Sequence, residues 1–264
     1  MIVIGEKINA TRKKIGQAVE AKDAEAILAV AREQVEAGVD YLDINGGDPA
    51  KEIENMEWLV NLVQDNFDTP LSLDSANAKA IARGLELAKN PPLINSITAE
   101  TDRLEQVLPV IAAKPCRVIA LTMSDDGPPR GVEDRLGLAD TLLDKLSEAG
   151  KKPDDILVDF CVFPVSSEGA APLAMAEAIQ ITRKKVPGLH FCAGLSNVSY
   201  GLPARVWVNR TFLSILIGYG LDSVICDPNA PGMLATIAAG EALAGRDEFC
   251  MNYLNAHRSG KLES

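Results

Sequence analysis

Short apolar runs alternate with longer amphipathic segments along almost the whole sequence. Each run is partly β-branched and is bounded by glycine, proline or charged residues, which is typical of strands buried in a parallel sheet. The longer segments carry apolar residues at helical spacing, as at Ile27, Val30, Ala31 and Val35. This alternation predicts repeated strand–helix units. The predicted strands are IVIGEKI (2–8), YLDIN (41–45), PLSLDS (70–75), LINSI (93–97), RVIALTM (117–123), DILVDF (155–160), HFCAGLSN (190–197) and DSVICD (222–227).

The number of these units predicts the fold class. Eight strand–helix units within 264 residues match a single (β/α)8 TIM barrel of the α/β class, which binds its ligands at the carboxyl ends of the strands. One domain then covers residues 1–264, and its polar tail, about residues 255–264, is expected to be frayed. Gly38, Gly150 and Gly220 are predicted to lie just past helix ends. An open doubly wound sheet is the alternative, but no G-x-G-x-x-G turn follows the first strand.

Charge and hydropathy exclude several classes of partner. The chain has 37 acidic and 26 basic residues, a formal net charge of −11, whereas nucleic-acid binding needs a surplus of Lys and Arg. We also expect no membrane association, since no run approaches about 20 apolar residues. The N-terminal apolar residues precede the basic ones, the reverse of a secretory signal. The five widely spaced cysteines, with no C-x-x-C among them, indicate reduced thiols in the cytoplasm.

Polar side chains end nearly every predicted strand, and in a barrel they would form a ring around the mouth. The strand-to-helix loops are mostly the longer ones, which also favours a site at this end. A ring of carboxylates and amides suits a neutral or weakly basic heterocycle with many N–H donors. Ser75, Asn77 and Asp48 are equally well explained as helix N-caps, and Asp227 as the start of a turn. The ring consists of Glu6, Asn9, Asp43, Asn45, Asp74, Ser75, Asn95, Ser96, Asp159, Asn197 and Asp227.

The residue types that the chain lacks exclude several kinds of catalytic site. Of its two histidines, His190 starts the seventh strand, at the bottom of the barrel, and His257 lies in the C-terminal tail. Without H-E-x-x-H or a Cys/His cluster we expect no metal site, and a Ser-His-Asp or Cys-His nucleophile is excluded for the same reason. Lys7 is expected to point away from Glu6. We therefore predict catalysis by binding and hydrogen bonding, with the reactive groups belonging to the substrates.

Seven motifs and a final GLD occur in an order that resembles a known family. The sequence is similar to the pterin-binding corrinoid-dependent methyltransferases, which include the methyltetrahydrofolate:corrinoid/iron–sulfur protein methyltransferase and the methylcorrinoid:tetrahydrofolate methyltransferases. The resemblance runs from about residue 2 to residue 245, and GLSNVS is its most specific block. The motifs are GEKIN (5–9), LDIN (42–45), LDSAN (73–77), INS (94–96), VDF (158–160), GLSNVSYGLPAR (194–205) and NRTF (209–212), followed by GLD (220–222).

This resemblance implies a barrel that binds tetrahydrofolate at its mouth. Members of the family bind the pterin through acidic and amide side chains at strand ends, which match Asp43, Asp74, Asn95 and Asp159 here. The asparagine of the family's GLSN motif, here Asn197, forms a hydrogen bond near the methyl-bearing nitrogen. The methyl group moves between that nitrogen and the cobalt of a corrinoid (cobalamin) held by a separate corrinoid protein. Family members are typically homodimers and need no metal of their own. The GLPAR loop favours tetrahydrofolate as the methyl acceptor.

Two residues are predicted to be catalytic. Asn197 can strengthen its hydrogen bond as charge changes on the pterin nitrogen, and Asp159 can orient the pterin amide and exchange a proton through water. Arg205 is a candidate for the anionic glutamate tail of folate, and Met123, at the end of the fifth strand, completes the predicted binding set.

Two other functions stay open at this point. Dihydropteroate synthase shares the barrel and the pterin site, but it opens with an N-V-T-x-D-S-F-x-D-G loop and ends with S-x-R-x-H, whereas this chain opens with GEKINATRKK. A non-catalytic pterin-binding subunit of a larger complex is the other alternative.

Overall fold

Eight parallel strands follow one another around a barrel in the computed structural model, which describes residues 1–262. From the first strand to the seventh, each strand pairs with the next one in sequence, and the eighth pairs with the first. The strands are β1 (Ile2–Asn9), β2 (Tyr41–Asn45), β3 (Leu71–Asp74), β4 (Leu93–Thr98), β5 (Arg117–Leu121), β6 (Ile156–Asp159), β7 (His190–Cys192) and β8 (Ser223–Cys226).

Backbone hydrogen bonds between the residues after β7 and strand β8 close the barrel. The Ile225 amide donates to the Ala193 carbonyl over 2.9 Å, and Gly194 forms a parallel bridge with Ile225. The predicted (β/α)8 barrel is therefore confirmed. The open doubly wound sheet is wrong, because its two outermost strands would not be paired with each other.

The helices surround the barrel, and several of their ends follow signals in the sequence. The Asp23 carboxylate accepts a hydrogen bond of 3.1 Å from the Ala26 amide and caps the second helix. Gly38 and Gly220 end two helices in the left-handed conformation, with φ of 92° and 115°. The helices are α1 (Lys13–Glu20), α2 (Ala24–Ala37), α3 (Glu52–Gln64), α4 (Ala78–Leu87), α5 (Thr101–Ala113), α6 (Gly131–Glu148), α7 (Ala171–Lys185), α8 (Arg205–Tyr219), α9 (Met233–Leu243) and α10 (Met251–Arg258). None of the helices within residues 1–262 is long and apolar enough to cross a membrane.

A small apolar cluster fills the barrel interior, separate from the larger core between strands and helices. Its fully buried members include Ile4, Leu93, Ile119 and Leu157. Side chains alternate between the two faces of a strand, so the residue two positions further along points into the same interior. For Leu93 that residue is Asn95, and for Leu157 it is Asp159. The apolar cluster is therefore the floor of the mouth: it fills the barrel interior directly below the polar residues.

Two segments differ from the sequence prediction. Strand β7 ends at Cys192, five residues earlier than predicted, and a 3-10 turn follows at Leu195–Ser199. Cys192 lies opposite Asp159, the last residue of β6, so the strand ladder on that side has no partner beyond it. The predicted frayed tail contains the end of α10 and turns up to residue 262, and residues 263–264 lie outside the described part of the chain.

Candidate functional site

A buried aspartate, Asp43, and a half-buried one, Asp74, each with an asparagine partner, form one side of the barrel mouth. The Asp43 Oδ1 atom accepts hydrogen bonds from the Ser72 hydroxyl, at 2.5 Å, and from the Asn95 side-chain amide, at 3.1 Å. Asn45, two residues after Asp43 on β2, donates its side-chain amide to Asp74 Oδ2 on the neighbouring strand β3 over 3.0 Å. Parallel register brings these groups together, since Asn45 lies opposite Asp74 and Asp74 lies opposite Asn95.

Because the side-chain NH2 group of Asn95 points toward Asp43, the side-chain oxygen of Asn95, Oδ1, remains available as an acceptor. That oxygen makes no hydrogen bond to any residue in the range 1–262. The corresponding oxygen of Asn45 is already used, because it accepts from the Gly47 amide over 2.9 Å. Of the two amides, only Asn95 thus offers a free acceptor to a ligand with N–H groups.

Burial raises the pKa of both aspartates, and the negative charge of a neighbouring carboxylate adds to each shift. For Asp43 the main cause is loss of solvent, followed by the negative charge of Asp74. For Asp74 the main cause is also burial, and the nearby Glu52 adds to it. Two neighbouring carboxyl groups with raised pKa values favour one shared proton near neutral pH. The mouth can therefore present both a donor and acceptors to a heterocycle.

Ser75 belongs to the start of α4 rather than to an open site. Its hydroxyl donates to Glu52 over 2.7 Å and accepts from the Asn77 amide over 2.9 Å. The Asn77 side chain is the N-cap of α4, with an accepted bond of 3.0 Å from the Lys79 amide. The N-cap interpretation is therefore confirmed for Asn77. It is wrong for Ser75, which lies two residues before that cap, and for Asp48, because Lys51 is the residue that precedes α3.

Arg103, on α5, fixes the backbone at the ends of β3 and β4. Its guanidinium donates to the Ser75 carbonyl over 2.8 Å, to the Ala76 carbonyl over 2.6 Å and to the Ser96 carbonyl over 3.0 Å. Neither Arg103 nor Glu52 was predicted as a site residue, because neither follows a strand and neither belongs to a motif. Ser96 contributes its carbonyl to this contact.

Asp159 stands on the opposite side of the mouth and is 6% exposed. Its Oδ1 atom accepts from the Cys161 amide over 2.9 Å, and its Oδ2 atom accepts from the Gly194 amide over 3.3 Å. Burial raises the pKa of Asp159 to about 6, against the opposing effect of these two hydrogen bonds and of the Arg135 charge. The carboxyl group is therefore ready to gain or lose a proton close to neutral pH.

Asn197 lies in the 3-10 turn after β7 and not at the strand end where it was predicted. It is exposed, and its side-chain amide makes no hydrogen bond to another residue within 1–262. The amide nitrogen lies 3.6 Å from the position that a Cβ would take on Gly194, whose own amide donates to Asp159. Asn197 thus lies beside the glycine whose amide contacts Asp159, and no side-chain hydrogen bond within residues 1–262 fixes its amide.

A chain of contacts ties this turn to the loop after β1. Glu6 accepts from Arg12 over 2.7 Å and from the Ser196 hydroxyl over 3.1 Å. Arg205 donates to the Ser199 hydroxyl over 2.9 Å and to the Ser196 carbonyl. Arg205 therefore holds the turn that carries Asn197, and any contact with an anionic ligand would compete with these bonds.

The remaining predicted residues lie at the edge of the mouth or away from it. Asn9 accepts from the Thr11 amide over 3.0 Å within its own turn. Met123 is half-buried beyond β5, and its carbonyl accepts from the Ala99 amide over 2.8 Å. Asp227 faces Lys7, with 3.5 Å between its carboxylate and the ammonium group. That contact also accounts for the predicted orientation of Lys7.

Both histidines lie outside the mouth, as predicted. His190 starts β7 at the bottom of the barrel, where its ring nitrogens lie 3.1 Å from the carboxylates of Asp222 and Asp154. His257 lies on α10. Within residues 1–262 no group of three or more His, Cys, Asp or Glu side chains is arranged to hold a metal ion.

Comparisons with known proteins agree on one family. A sequence model of the pterin-binding enzymes matches residues 5–227. A methylcorrinoid:tetrahydrofolate methyltransferase of Eubacterium limosum is 34% identical over 265 aligned positions, which cover 99% of this chain and 98% of that protein. The methionine synthase of Mycobacterium leprae is 29% identical over 85% of this chain, which corresponds to 20% of the synthase.

Solved structures of low sequence identity share the fold. A dihydropteroate synthase of Vibrio fischeri has a TM-score of 0.67 at 17% identity and covers 96% of this chain and 93% of its own. The enzyme of Xanthomonas albilineans, in complex with 7,8-dihydropteroate, has a TM-score of 0.72 at 16% identity, with 92% and 93% covered. At such identities the likeness shows the barrel and not the reaction.

Proposed function

The chain belongs to the pterin-binding enzyme family, and from this premise we propose that it is a methyltransferase that moves a methyl group between tetrahydrofolate and the corrinoid of a partner protein. The observation that carries the proposal is the 34% identity to a methylcorrinoid:tetrahydrofolate methyltransferase over nearly the full length of both chains. In the direction that we favour, methylcorrinoid is the donor, tetrahydrofolate is the acceptor and 5-methyltetrahydrofolate is the product.

The pterin ring is proposed to lie in the mouth between the two acidic sides. Asp74 and Asp159 would accept from the N–H groups of the pterin amide and amino group, and the free carbonyl oxygen of Asn95 adds a third acceptor. Asp43 would act from behind by holding the Asn95 amide in this orientation. These donors and acceptors fit a pterin because a buried polar heterocycle needs a partner for each of its polar atoms.

The chain's own residues would assist the transfer by stabilising the charge that changes on the methyl-bearing nitrogen. The corrinoid supplies or receives the methyl group at its cobalt. When tetrahydrofolate is the acceptor, its nitrogen forms a new bond to the methyl carbon and must lose a proton. Asn197 can follow that change with its side-chain amide, and Asp159, whose pKa burial raises to about 6, can take the proton through water.

We further propose a cytoplasmic homodimer that uses an apolar face on α9 and α10. Helix α9 is apolar nearly all round, and α10 has no buried residue. Leu243 at the end of α9 is 90% exposed, and Phe249 in the turn between α9 and α10 is 83% exposed. Met251 and Leu254 on α10 are exposed as well. A helix of eight residues is marginal without a packing partner, and a second copy of the chain would cover this surface.

A direct assay tests the proposed reaction. Purified chain is mixed with methylcobalamin and tetrahydrofolate, and the expected result is loss of methylcobalamin absorbance with formation of 5-methyltetrahydrofolate. The same preparation is assayed for condensation of a pterin diphosphate with 4-aminobenzoate, the dihydropteroate synthase reaction, where no product is expected. Folate binding without any methyl transfer, either with free methylcobalamin or with a methylated corrinoid protein, would instead support the non-catalytic subunit.

A further inference from the structure

Arg135, on α6, is a cation with no exposed surface. Its Nε donates to the Phe160 carbonyl over 2.9 Å, and its Nη1 donates to the Gly131 carbonyl over 2.7 Å. Its Nη2 lies 3.5 Å from the Cys161 carbonyl. Within residues 1–262 it forms no ion pair with a carboxylate. Burying a charge without a paired anion is costly, so this arginine calls for a role other than filling space.

Two of the three carbonyl groups that Arg135 contacts belong to the residues directly after Asp159. Cys161 is in the left-handed region, with φ of 60°, a conformation that is unfavourable for a residue with a side chain and needs support from its surroundings. In this conformation its amide points back and donates to Asp159 Oδ1 over 2.9 Å. The guanidinium therefore stabilises, through the Phe160 and Cys161 carbonyls, the backbone that orients the Asp159 carboxylate.

Arg135 also acts on Asp159 by its charge. The groups that face Asp159 are the Cys161 and Cys192 thiols and the Arg135 guanidinium. Burial raises the pKa of both thiols well above neutral pH, so neither contributes a charge. Asp134 and Glu168 act on Arg135 from the solvent side. The guanidinium is thus the charge that opposes the effect of burial on Asp159.

We propose that Arg135 is a positioning residue for Asp159: it sets the direction of the carboxylate through the Phe160–Cys161 backbone and favours its ionised form. The inference rests on the proposed function in one respect, which is that Asp159 meets the pterin. Two effects are separable, because Arg135→Gln removes the charge and Arg135→Lys keeps the charge but cannot reach several carbonyl groups in a fixed planar geometry.

The test measures binding of 5-methyltetrahydrofolate, which cannot react without a corrinoid, by calorimetry between pH 5 and pH 9. Wild-type affinity is expected to fall as the pH is lowered through the pKa of Asp159. The part of this dependence that disappears in Asp159→Asn is assigned to Asp159, and the part that remains to Asp43 and Asp74. In Arg135→Gln the midpoint should move up by about one pH unit, because a neighbouring positive charge is lost. In Arg135→Lys the midpoint should stay, while Kd at pH 8 rises about fivefold. Arg130→Gln, an exposed change just before the same helix, is the matched control and should alter neither.

Thermal unfolding of each variant measures how much the replaced side chain contributes to the stability of the fold. A folded Arg135→Gln variant with the wild-type midpoint overturns the proposal, as does a wild-type affinity that does not change with pH. If the Gln variant does not fold, the Lys variant decides, and a wild-type Kd at pH 8, at any melting temperature, overturns the proposal. A wild-type chain that does not bind the folate at all contradicts the proposed function instead.

Discussion

The side-chain amide of Asn95 donates a hydrogen bond of 3.1 Å to the buried carboxyl of Asp43, so the orientation of Asn95 is fixed from the interior side. Asp43 is 3% exposed and also accepts from Ser72. Asp43 fixes the orientation of the Asn95 side-chain amide by accepting from its NH2 group. Asn95 therefore presents its free side-chain oxygen to the mouth. Several experiments can separate such supporting roles from direct contact with the ligand.

Replacing Asp43 tests the supporting role. Asp43→Leu should weaken folate binding by about 1–3 kcal/mol, since Asn95 loses the acceptor that fixes its amide. The effect should be small when Asn95→Ala is already present, because the two changes remove the same interaction. A double-mutant cycle by calorimetry measures this coupling, and additive losses would contradict it. Ser72→Ala is the control that removes only the other hydrogen bond to Asp43.

Direct ligands of the pterin should each weaken binding on their own. Asp74→Ala, Asn95→Ala and Asp159→Ala are expected to raise the folate Kd by an amount equivalent to about 1–3 kcal/mol apiece, because each leaves a buried donor or acceptor of the ligand unpaired. Asp227→Ala serves as the matched control, since Asp227 faces Lys7. Unchanged affinity in all three variants would show that the ligand does not occupy this mouth.

Asn197→Ala should lose far more rate than affinity. Its hydrogen bond is expected to matter most as charge changes on the pterin nitrogen, and the loss of one such group costs on the order of 10²–10³ in rate. Single-turnover methyl transfer with saturating folate measures the effect. Asn229→Ala, which changes another exposed asparagine on the loop after β8, is the control. A rate within a few-fold of wild type would show that Asn197 only shapes its turn.

Activity should survive removal of metal ions. Exhaustive chelation is expected to leave methyl transfer unchanged as long as the corrinoid is intact, because the proposed chemistry uses carboxyl and amide groups. The assay is repeated after chelation with and without added zinc. Zinc-dependent recovery of a lost rate would mean that Cys161, Cys226 or the mouth carboxylates bind a metal.

His190 should make stability depend on pH. Hydrogen bonding to Asp222 raises its pKa, and Asp154 adds to this, while burial and Arg117 oppose it. A histidine with a raised pKa stabilises the fold fully below its unfolded pKa, and this contribution is lost as the pH rises through the folded value. The free energy of unfolding lost in His190→Asn should therefore be larger at pH 6 than at pH 8. Denaturant titrations at both values measure it, and an equal loss at both would refute the linkage.

The fold was predictable because its signals are local. Strand and helix periods are read within a few residues, and Gly38 and Gly220 mark helix ends by their own conformation. The strand-end acids at Asp43, Asp74 and Asp159 were found for the same reason. The placement of Asn197 was not predictable in this way, since β7 ends where its neighbour β6 ends, and that limit depends on pairing between distant segments.

The supporting residues could not be read from the sequence. Arg103 and Arg135 lie on helices, where an arginine fits the pattern of a solvated face, and their partners are carbonyl groups 4 to 28 residues away. Backbone acceptors carry no signature in the side-chain sequence. The contact between Glu6 and Ser196 joins residues 190 positions apart, and only the closed barrel brings them together.

The apolar floor beneath the mouth has a kinetic consequence. Since Ile4, Leu93, Ile119 and Leu157 fill the barrel below the polar ring, a ligand can enter and leave only from the side on which the partner must also dock. A folate held between the partner and this floor then cannot exchange until the partner departs. We therefore expect compulsory-order kinetics, in which folate binds first and leaves last, and saturating corrinoid protein should slow folate dissociation measured by isotope trapping.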